Sequence, residues 1–283
     1  MTVLEKRMRG LNRGLAAAIA KVLDDVKPKS VHRLRTTVRR VEALVSYANP
    51  DIGKKEERTL EKMADLRKRA GKVRDFDVLA DLLGDLGNGS AAKDRKTLAE
   101  LFEKKRDQQA KRLVSALKKL HEAKFFGRLH RIAEEAAVPR DKNRPLAPLE
   151  EAKLQLVEMA NDSGSGQTLK PSRLHEARVT LKRIRYVAEL AEESAAQKDF
   201  IRRLKSTQDA IGNWHDWLEL TERAEKRFSD RANSALVHEA RTVLSARHSD
   251  AISSVQKLFS LAQAPAKKSP RSAQSLRTVQ RSA

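Results

Sequence analysis

The sequence predicts an all-α protein built from two pseudo-symmetric four-helix bundles. Glycine and proline are scarce, at 11 and 8 of 283 residues, which disfavours a turn-rich β fold. Apolar residues recur three and four positions apart along most of the chain, as they do on one face of an α-helix. Two short motifs also occur twice, once in each half, so we expect that the two bundles arose by internal duplication.

Periodic apolar residues predict four helices in the first half of the chain. In the first segment Met8, Leu15 and Ile19 share one helical face. Pro28 suits the first turn of the second helix. The four predicted helices span about 1–26, 28–49, 54–86 and 91–136, with a break in the last run expected near Phe125-Phe126-Gly127. Residues 1–138 are thus expected to form the first bundle.

The segment VPRDKNRPLAP interrupts the periodicity and predicts a linker at 139–145. Beyond it, a loop with the sequence NDSGSGQTLKP separates the first two helices of the second half. The expected helices span about 146–160, 172–195, 197–228 and 231–262, so that 146–262 forms the second bundle. Residues 263–283 carry five Lys/Arg and no acidic residue, and this composition predicts a disordered basic tail.

The two repeated motifs carry the evidence for duplication. PKSVHRLRTTVRRV at 28–41 aligns without a gap to PSRLHEARVTLKRI at 171–184, an offset of 143 residues. AGKVRDFD and IGNWHDWL form a second pair at an offset of 141 residues, and the order of the motifs is the same in each half. Duplication predicts that the two copies are related by a pseudo-twofold axis.

The net charge of the chain indicates which class of binding partner to expect. Lys and Arg number 59 against 38 Asp and Glu, which gives a net charge of +21, so the partner should be an anion. The chain has no Cys, and this excludes disulfides, thiolate metal sites and cysteine nucleophiles. No apolar stretch is long enough to span a membrane or to make a convincing signal peptide. We therefore expect a cytoplasmic protein without membrane contact.

Each copy of the longer motif places a cationic stripe beside an apolar one. At 100° per residue, His32, Arg35 and Arg39 lie within about 60° of one another, and Val31, Leu34, Val38, Val41 and Val45 occupy the adjoining face. In the second copy the cationic stripe comprises His175, Arg178, Lys182 and Arg185. Arginine offers planar bidentate contacts to phosphate, and free N–H groups in the first turn of a helix favour anions. Two such stripes facing a common groove would clamp a polyanion.

The paired motifs resemble the signature helices of the CHAD family, the conserved histidine α-helical domain. HRLRTTVRR and HEARVTLKRIRY both contain His-x-x-Arg-x-x-x-Arg/Lys-Arg, although Glu42 stands where the family often continues with Arg. The resemblance implies two four-helix bundles around a basic central groove or pore that binds inorganic polyphosphate without catalysis or cofactor. The ligands that it implies are His32, Arg35, Arg39, Arg40, His175, Arg178, Lys182, Arg183 and Arg185.

Other functions fit the sequence less well. The Glu-x-Glu-x-Lys strand motif of the triphosphate-tunnel domain often attached to this family does not occur, nor does a P-loop, so we expect a stand-alone binding protein and not an enzyme. Asp75 and Asp77 could hold Mg²⁺, but only Asp75 has a carboxylate counterpart in the second copy, so a structural role is favoured.

Non-specific nucleic-acid binding is the main alternative, although 11 aromatic residues leave little for base stacking. A scaffold that recruits proteins to polyphosphate granules would share the same site. The sequence does not define the oligomeric state.

Overall fold

A computed structural model describes residues 3–48, 53–86, 91–120, 122–137, 147–162, 171–229 and 234–263. Every regular element within these ranges is an α-helix, which confirms the predicted all-α class. The described helices are α1 (Val3–Asp24), α2 (Pro28–Ala48), α3 (Lys54–Asp85), α4 (Ala92–Lys118), α5 (Glu122–Ala137), α6 (Pro148–Asp162), α7 (Pro171–Ala188), α8 (Ala195–Arg227) and α9 (Ala235–Gln263). No helix in this part of the chain is long and apolar enough to cross a bilayer.

The predicted helix at 91–136 is in fact two helices, and the predicted position of its break was wrong. The α4 helix ends where the backbone N–H of Leu120 bonds to the carbonyl of Leu117 at 3.0 Å, which tightens the last turn. Phe125, Phe126 and Gly127 lie inside α5. Phe125 is buried in the core, so packing holds this segment in the helix despite its glycine.

The connection after α7 also differs from the prediction. We expected the helix to continue to residue 195, but it ends at Ala188, and turn hydrogen bonds from Leu190 and Ala191 to Val187 and Ala188 follow it. Ser194 then caps α8 by accepting a hydrogen bond from the backbone N–H of Gln197 at 3.1 Å. The linker predicted at 139–145 and residues 264–283 of the predicted tail lie outside the described residues.

Three clusters of buried apolar side chains hold the helices together. The first cluster contains residues from all five helices α1 through α5, and the second contains residues from all four helices α6 through α9. The third is shared between the halves, because Phe76 and Phe102 of α3 and α4 belong to the same cluster as Trp217 of α8 and Leu236 of α9. Apart from Leu190, which follows α7 but belongs to the first cluster, the buried residues of the first two clusters fall within 1–138 and 146–262 respectively; that division and the duplication remain predictions.

The apolar stripes of α2 and α7 set how these two helices are rotated. All five apolar stripe positions of α2 are buried, with Val31, Leu34, Val38 and Val41 at 0% exposure. The matching positions of α7 are buried as well: Leu174, Ala177, Leu181, Ile184 and Ala188. Burying one face of a helix fixes the direction of every other face, so the cationic stripes are positioned by the core.

Two arginines donate hydrogen bonds to backbone carbonyls in the segments that connect helices. Arg7 of α1 donates to the carbonyls of Glu189 and Ala191, so the first helix of the chain binds the turn after α7. Arg106 of α4 donates from Nε to Oδ1 of Asp77 at 2.8 Å and from Nη2 to the carbonyl of Val26. These contacts tie the ends of α1 and α7 to their neighbours.

Candidate functional site

A cavity of about 620 Å³ lies between α2, α3, α7 and α8. It is bounded by helices from both halves of the chain, and each motif of the two sequence repeats contributes to its wall. The lining residues are His32, Arg35, Thr36, Arg39, Arg40, Arg74, Asp75, Val78, Arg178, Lys182, Arg185, Tyr186, Lys205, Gln208, Asp209, Gly212, Asn213 and Asp216.

Positive charge dominates this wall. Among the described residues, eight Lys and Arg side chains line the cavity against three Asp. Two of these cations are largely shielded from solvent, because the side chains of Arg178 and Arg185 are only 17% and 18% exposed. The Nε atoms of Arg39, Arg178 and Arg185 are buried and donate no hydrogen bond within the described part of the chain. Buried donors of this kind are costly unless an acceptor reaches them.

Local structure brings these side chains into register. Both α2 and α7 begin at proline, which has no N–H to leave unpaired in the first turn and favours a helical φ. Ser30 closes the start of α2 by donating from Oγ to the carbonyl of Lys27 at 2.8 Å. On the opposite wall, buried Gln208 donates from Nε2 to the carbonyl of Leu181 at 2.6 Å and locks α8 against α7.

Burial and, to a smaller extent, repulsion between the cations change the pKa values of the wall arginines. Burial lowers the pKa of Arg35, Arg39 and Arg178, and repulsion from neighbouring guanidiniums adds to each shift. Arginine stays charged at neutral pH even so. The folded protein therefore holds several like charges close together at an electrostatic cost, and a bound anion would relieve that cost.

Two further groups on the wall, Lys182 and His32, also have lowered pKa values. Burial, followed by repulsion from Arg178, Arg39 and Arg35, lowers the pKa of Lys182 to about 7. Loss of water around the ring, followed by repulsion from Arg74 and Arg35, lowers the pKa of His32 below its ordinary value of 6.5. Both groups are therefore poised to gain a proton when an anion enters the cavity.

Carboxylates partly balance the cations at the edges of the cavity. Glu189 accepts a hydrogen bond from Nε of Arg40 at 2.8 Å and lies 3.6 Å from Nη1 of Arg185. On α8, Oδ1 of Asp216 lies 3.8 Å from Nη2 of Arg178. Such pairs keep the long arginine side chains extended toward the cavity and lower the entropy that a ligand must remove.

The structure brings together seven of the nine residues named from the sequence: His32, Arg35, Arg39, Arg40, Arg178, Lys182 and Arg185. Arg183 is exposed and lines a different cavity, between α6, α7 and α9. At 100° per residue it lies off the α7 stripe, and only the family resemblance had included it. His175 is also absent from the wall, and its ring centroid lies 5.7 Å from that of His215 on α8.

Sequence reasoning missed part of the site. The cavity wall also contains residues that the sequence did not indicate as site residues: Arg74, Lys205, Gln208 and Asn213. A detectable signal existed, because polar α8 residues at 205, 208, 209, 213 and 216, together with Gly212, recur three and four positions apart, which places them on one helical face.

The Asp75–Asp77 element divides into two structural roles. Asp75 lines the cavity and attracts Arg35. Asp77 is buried at 5% exposure and pairs with Arg106, away from the cavity wall. Among the described residues, no group of three or more His, Asp or Glu side chains could hold a metal ion.

A second cavity of about 660 Å³ lies between α3 and α4. Its wall also contains Lys and Arg, but Lys111, Arg112 and Lys119 are exposed, and Arg69 pairs with Asp65 at 2.7 Å. Exposed and already paired cations are weaker anion ligands than partly buried ones, since water screens them. The cavity shared by α2, α3, α7 and α8 is therefore the stronger candidate.

The fold and this cavity define an all-helical protein with a cationic pocket between its two halves. The CHAD domain family model matches residues 7–225, so the chain belongs to the CHAD domain family. No curated protein matches the chain.

Two solved structures resemble this fold. The crystal structure of the CHAD domain from the plant Ricinus communis matches with a TM-score of 0.68 at 17% identity, covering 91% of this chain and 90% of that one. PptA from Streptomyces chartreusis matches with a TM-score of 0.59 at 15% identity, covering 92% and 97%. At these identities the similarity shows the fold alone.

Proposed function

We propose that this protein binds inorganic polyphosphate in the cavity between α2, α3, α7 and α8, and that it does so without catalysis. The observation that carries the proposal is the convergence of eight Lys and Arg side chains from four helices on one cavity. The family to which the chain belongs is linked to polyphosphate binding.

Energetics favour a ligand with dense negative charge. Each guanidinium can form charge-assisted bonds to phosphate oxygens, and the unpaired Nε atoms of Arg39, Arg178 and Arg185 supply donors for them. Burial is the main reason why the pKa values of Arg39, Arg178 and Lys182 are lowered, and repulsion between the cations adds to it; a polyanion would offset that repulsion. The free energy of binding should therefore come both from the new contacts to phosphate and from reduced repulsion between the cations.

The proposed ligands follow the cavity wall. From the sequence motifs they are His32, Arg35, Arg39, Arg40, Arg178, Lys182 and Arg185, to which the wall adds Arg74 and Lys205. His175 and Arg183 are left out of the proposed set because they do not line this cavity.

Nucleic acid fits this cavity less well than polyphosphate. Single-stranded nucleic acids are held largely by stacking of their bases on aromatic rings. Trp214 and Trp217 are buried at 3% and 4% exposure. Tyr186 is the one aromatic side chain among the described wall residues, and it is buried at 6%. A chain of phosphates without bases requires no such platform.

A competition experiment tests this proposal. Fluorescent long-chain polyphosphate is displaced from the protein by unlabelled polyphosphate, duplex DNA or single-stranded RNA at physiological salt. We expect polyphosphate to compete best per unit charge, and equal competition by all three would indicate a generic nucleic-acid binder. Incubation with polyphosphate and Mg²⁺ should release no phosphate above background, and release would contradict the non-catalytic proposal.

The same site would place the protein at polyphosphate granules in the cytoplasm. Polyphosphate binding alone is enough for that location, whereas a scaffold would also need a protein partner. Co-sedimentation of the purified protein with granules, with and without cell extract, separates these roles. Recruitment of a second protein would favour the scaffold.

A further inference from the structure

Lys182 occupies an unusual position in the cavity wall. Its backbone follows Leu181, whose carbonyl is held by Gln208, so the start of the side chain is fixed. Within the described part of the chain, Lys182 forms no ion pair or hydrogen bond. Arg178 lies one turn earlier on α7, and Arg35 and Arg39 face Lys182 from α2. The α8 carboxylate that attracts Lys182 is Asp216, which is already near Arg178.

This environment makes Lys182 a nucleophile near neutral pH. Burial and the three arginines lower its pKa to about 7, so at pH 7.5 about three quarters of its amine is uncharged. An ordinary lysine is about 0.1% uncharged at that pH. An uncharged amine has the lone pair needed to attack a carbonyl carbon, and lysines activated in this way serve as nucleophiles in many enzymes.

We propose that Lys182 is a modification site, acylated by small acyl phosphates that enter the cavity. Arg39, Arg178 and Arg35 would hold the phosphate group of the reagent beside the amine. The inference rests on the proposed function in one respect, because the cavity must accept a phosphate anion.

The reaction is an acyl transfer with no change of oxidation state. The Nζ lone pair of Lys182 attacks the carbonyl carbon of the acyl phosphate and forms a tetrahedral adduct. The bond between the acyl carbon and the bridging oxygen then breaks, and its electron pair leaves with that oxygen as phosphate. The nitrogen loses a proton to solvent as the amide forms. The surrounding guanidiniums stabilise the negative charge that develops on the departing phosphate. Arg39 and Arg178 thus act as positioning residues for the reagent.

Acylation would alter the cavity in a defined way. It removes one cation and adds bulk where three guanidiniums converge, so polyphosphate affinity should fall about tenfold for the loss of one charge-assisted contact. Conversely, bound polyphosphate blocks the amine and favours its charged form, so it should protect Lys182. Acyl phosphate and polyphosphate therefore compete at this residue.

The experiment compares two lysines of the same cavity in the full-length protein. Acetyl phosphate is added at pH 7.5, and acetylation of Lys182 and of exposed Lys205 is followed over time by peptide mass spectrometry. We expect Lys182 to react at least about tenfold faster than Lys205, because its larger uncharged fraction outweighs its weaker basicity. Saturating polyphosphate should suppress the reaction at Lys182. Equal rates at the two lysines, or no protection, would overturn the proposal.

A neutral reagent and two variants distinguish delivery of the acyl phosphate by the cavity from the intrinsic reactivity of the Lys182 amine. Acetyl N-hydroxysuccinimide ester has no phosphate, so the preference for Lys182 should shrink, and an undiminished preference would overturn delivery by the cavity. Arg39→Gln should slow acetylation of Lys182 at least about fivefold, since it removes a phosphate ligand and a charge that favours the free amine. Arg183→Gln, on the other face of α7, should leave the rate unchanged, and an equal loss would contradict the assignment.

Parallel measurements distinguish the two proposals. If the Arg39→Gln protein has a weaker helical circular-dichroism signal than the unchanged protein, its fold is disturbed. The acetylation rate is then measured on Arg178→Gln, which removes an arginine from the other wall of the cavity. Polyphosphate affinity of the unmodified protein is measured on the same preparations. Strong polyphosphate binding with an inert Lys182 overturns the modification alone. Failure of polyphosphate to bind overturns the proposed function, whatever happens at Lys182.

Discussion

Replacing Arg39 and Arg178 together should reveal whether the cavity binds the ligand. These arginines come from α2 and α7 on opposite walls, and each has a buried Nε without an acceptor. The double variant Arg39→Gln, Arg178→Gln lowers the charge by two while keeping polar side chains of similar reach. Neither residue belongs to the apolar clusters, so the helical fold should remain.

The expected loss follows from the two contacts removed. A charge-assisted hydrogen bond contributes about 1.5–3 kcal/mol. Taking the lower value for each arginine, because both are partly exposed, gives about 3 kcal/mol, which corresponds to a loss of affinity of about 100-fold. Each lost phosphate contact should also make the slope of log affinity against log salt shallower by about 0.7–0.9, the scale known for nucleic acids.

The matched control is Arg173→Gln with Arg183→Gln. Both residues lie on α7, and their removal changes the net charge equally, but they line the cavity between α6, α7 and α9. Fluorescence anisotropy with labelled polyphosphate at several salt concentrations measures all three proteins. The control should lose less than about threefold, since its charges are exposed and screened. Equal losses in the two double variants would refute the cavity as the binding site and show that gross charge controls binding.

Three further predictions concern pH, stability and the C-terminal segment. A bound polyanion raises the pKa of Lys182 from about 7, so affinity should be highest below pH 7 and decline as pH rises above it; Lys182→Met should make that decline shallower in anisotropy titrations and leave the part that His32 contributes. Arg106→Ala strands the buried carboxylate of Asp77 and should cost about 3 kcal/mol in urea unfolding, whereas a cost under about 1 kcal/mol would contradict the role of this pair. Deleting residues 264–283 removes five Lys/Arg, yet should weaken polyphosphate binding less than the cavity double variant does; a larger loss would assign binding to that segment.

The sequence predicted the fold class and most of the cavity wall because helical periodicity determines both. The apolar stripe of α2 was identified residue by residue, and burying that stripe directs Arg35 and Arg39 to the adjoining face. Arg40 and Arg183, named as ligands through the family resemblance, both lie off their stripes by the same arithmetic, yet Arg40 lines the cavity and Arg183 does not. Periodicity therefore placed the stripe residues of α2, but it did not decide between these two arginines.

Tertiary packing accounts for what the sequence did not predict. The break between α4 and α5 depends on which residues the first cluster buries, and Phe125 overrides the turn tendency of Gly127. The contribution of α8 to the cavity could not be located before α7 and α8 were placed together. Pairs such as Arg40 with Glu189 also join residues that are 149 positions apart, and no local pattern links them.

The apolar cluster shared by α3, α4, α8 and α9 has a consequence for how the protein unfolds. Phe76 and Phe102 from the first half pack in one cluster with Trp217 and Phe228 from the second, so separating the halves would expose large aromatic surfaces on both. We expect neither half to be stable when expressed alone, and the whole chain to melt in one cooperative transition. A ligand held between the halves would then stabilise the entire molecule, including helices that it never contacts.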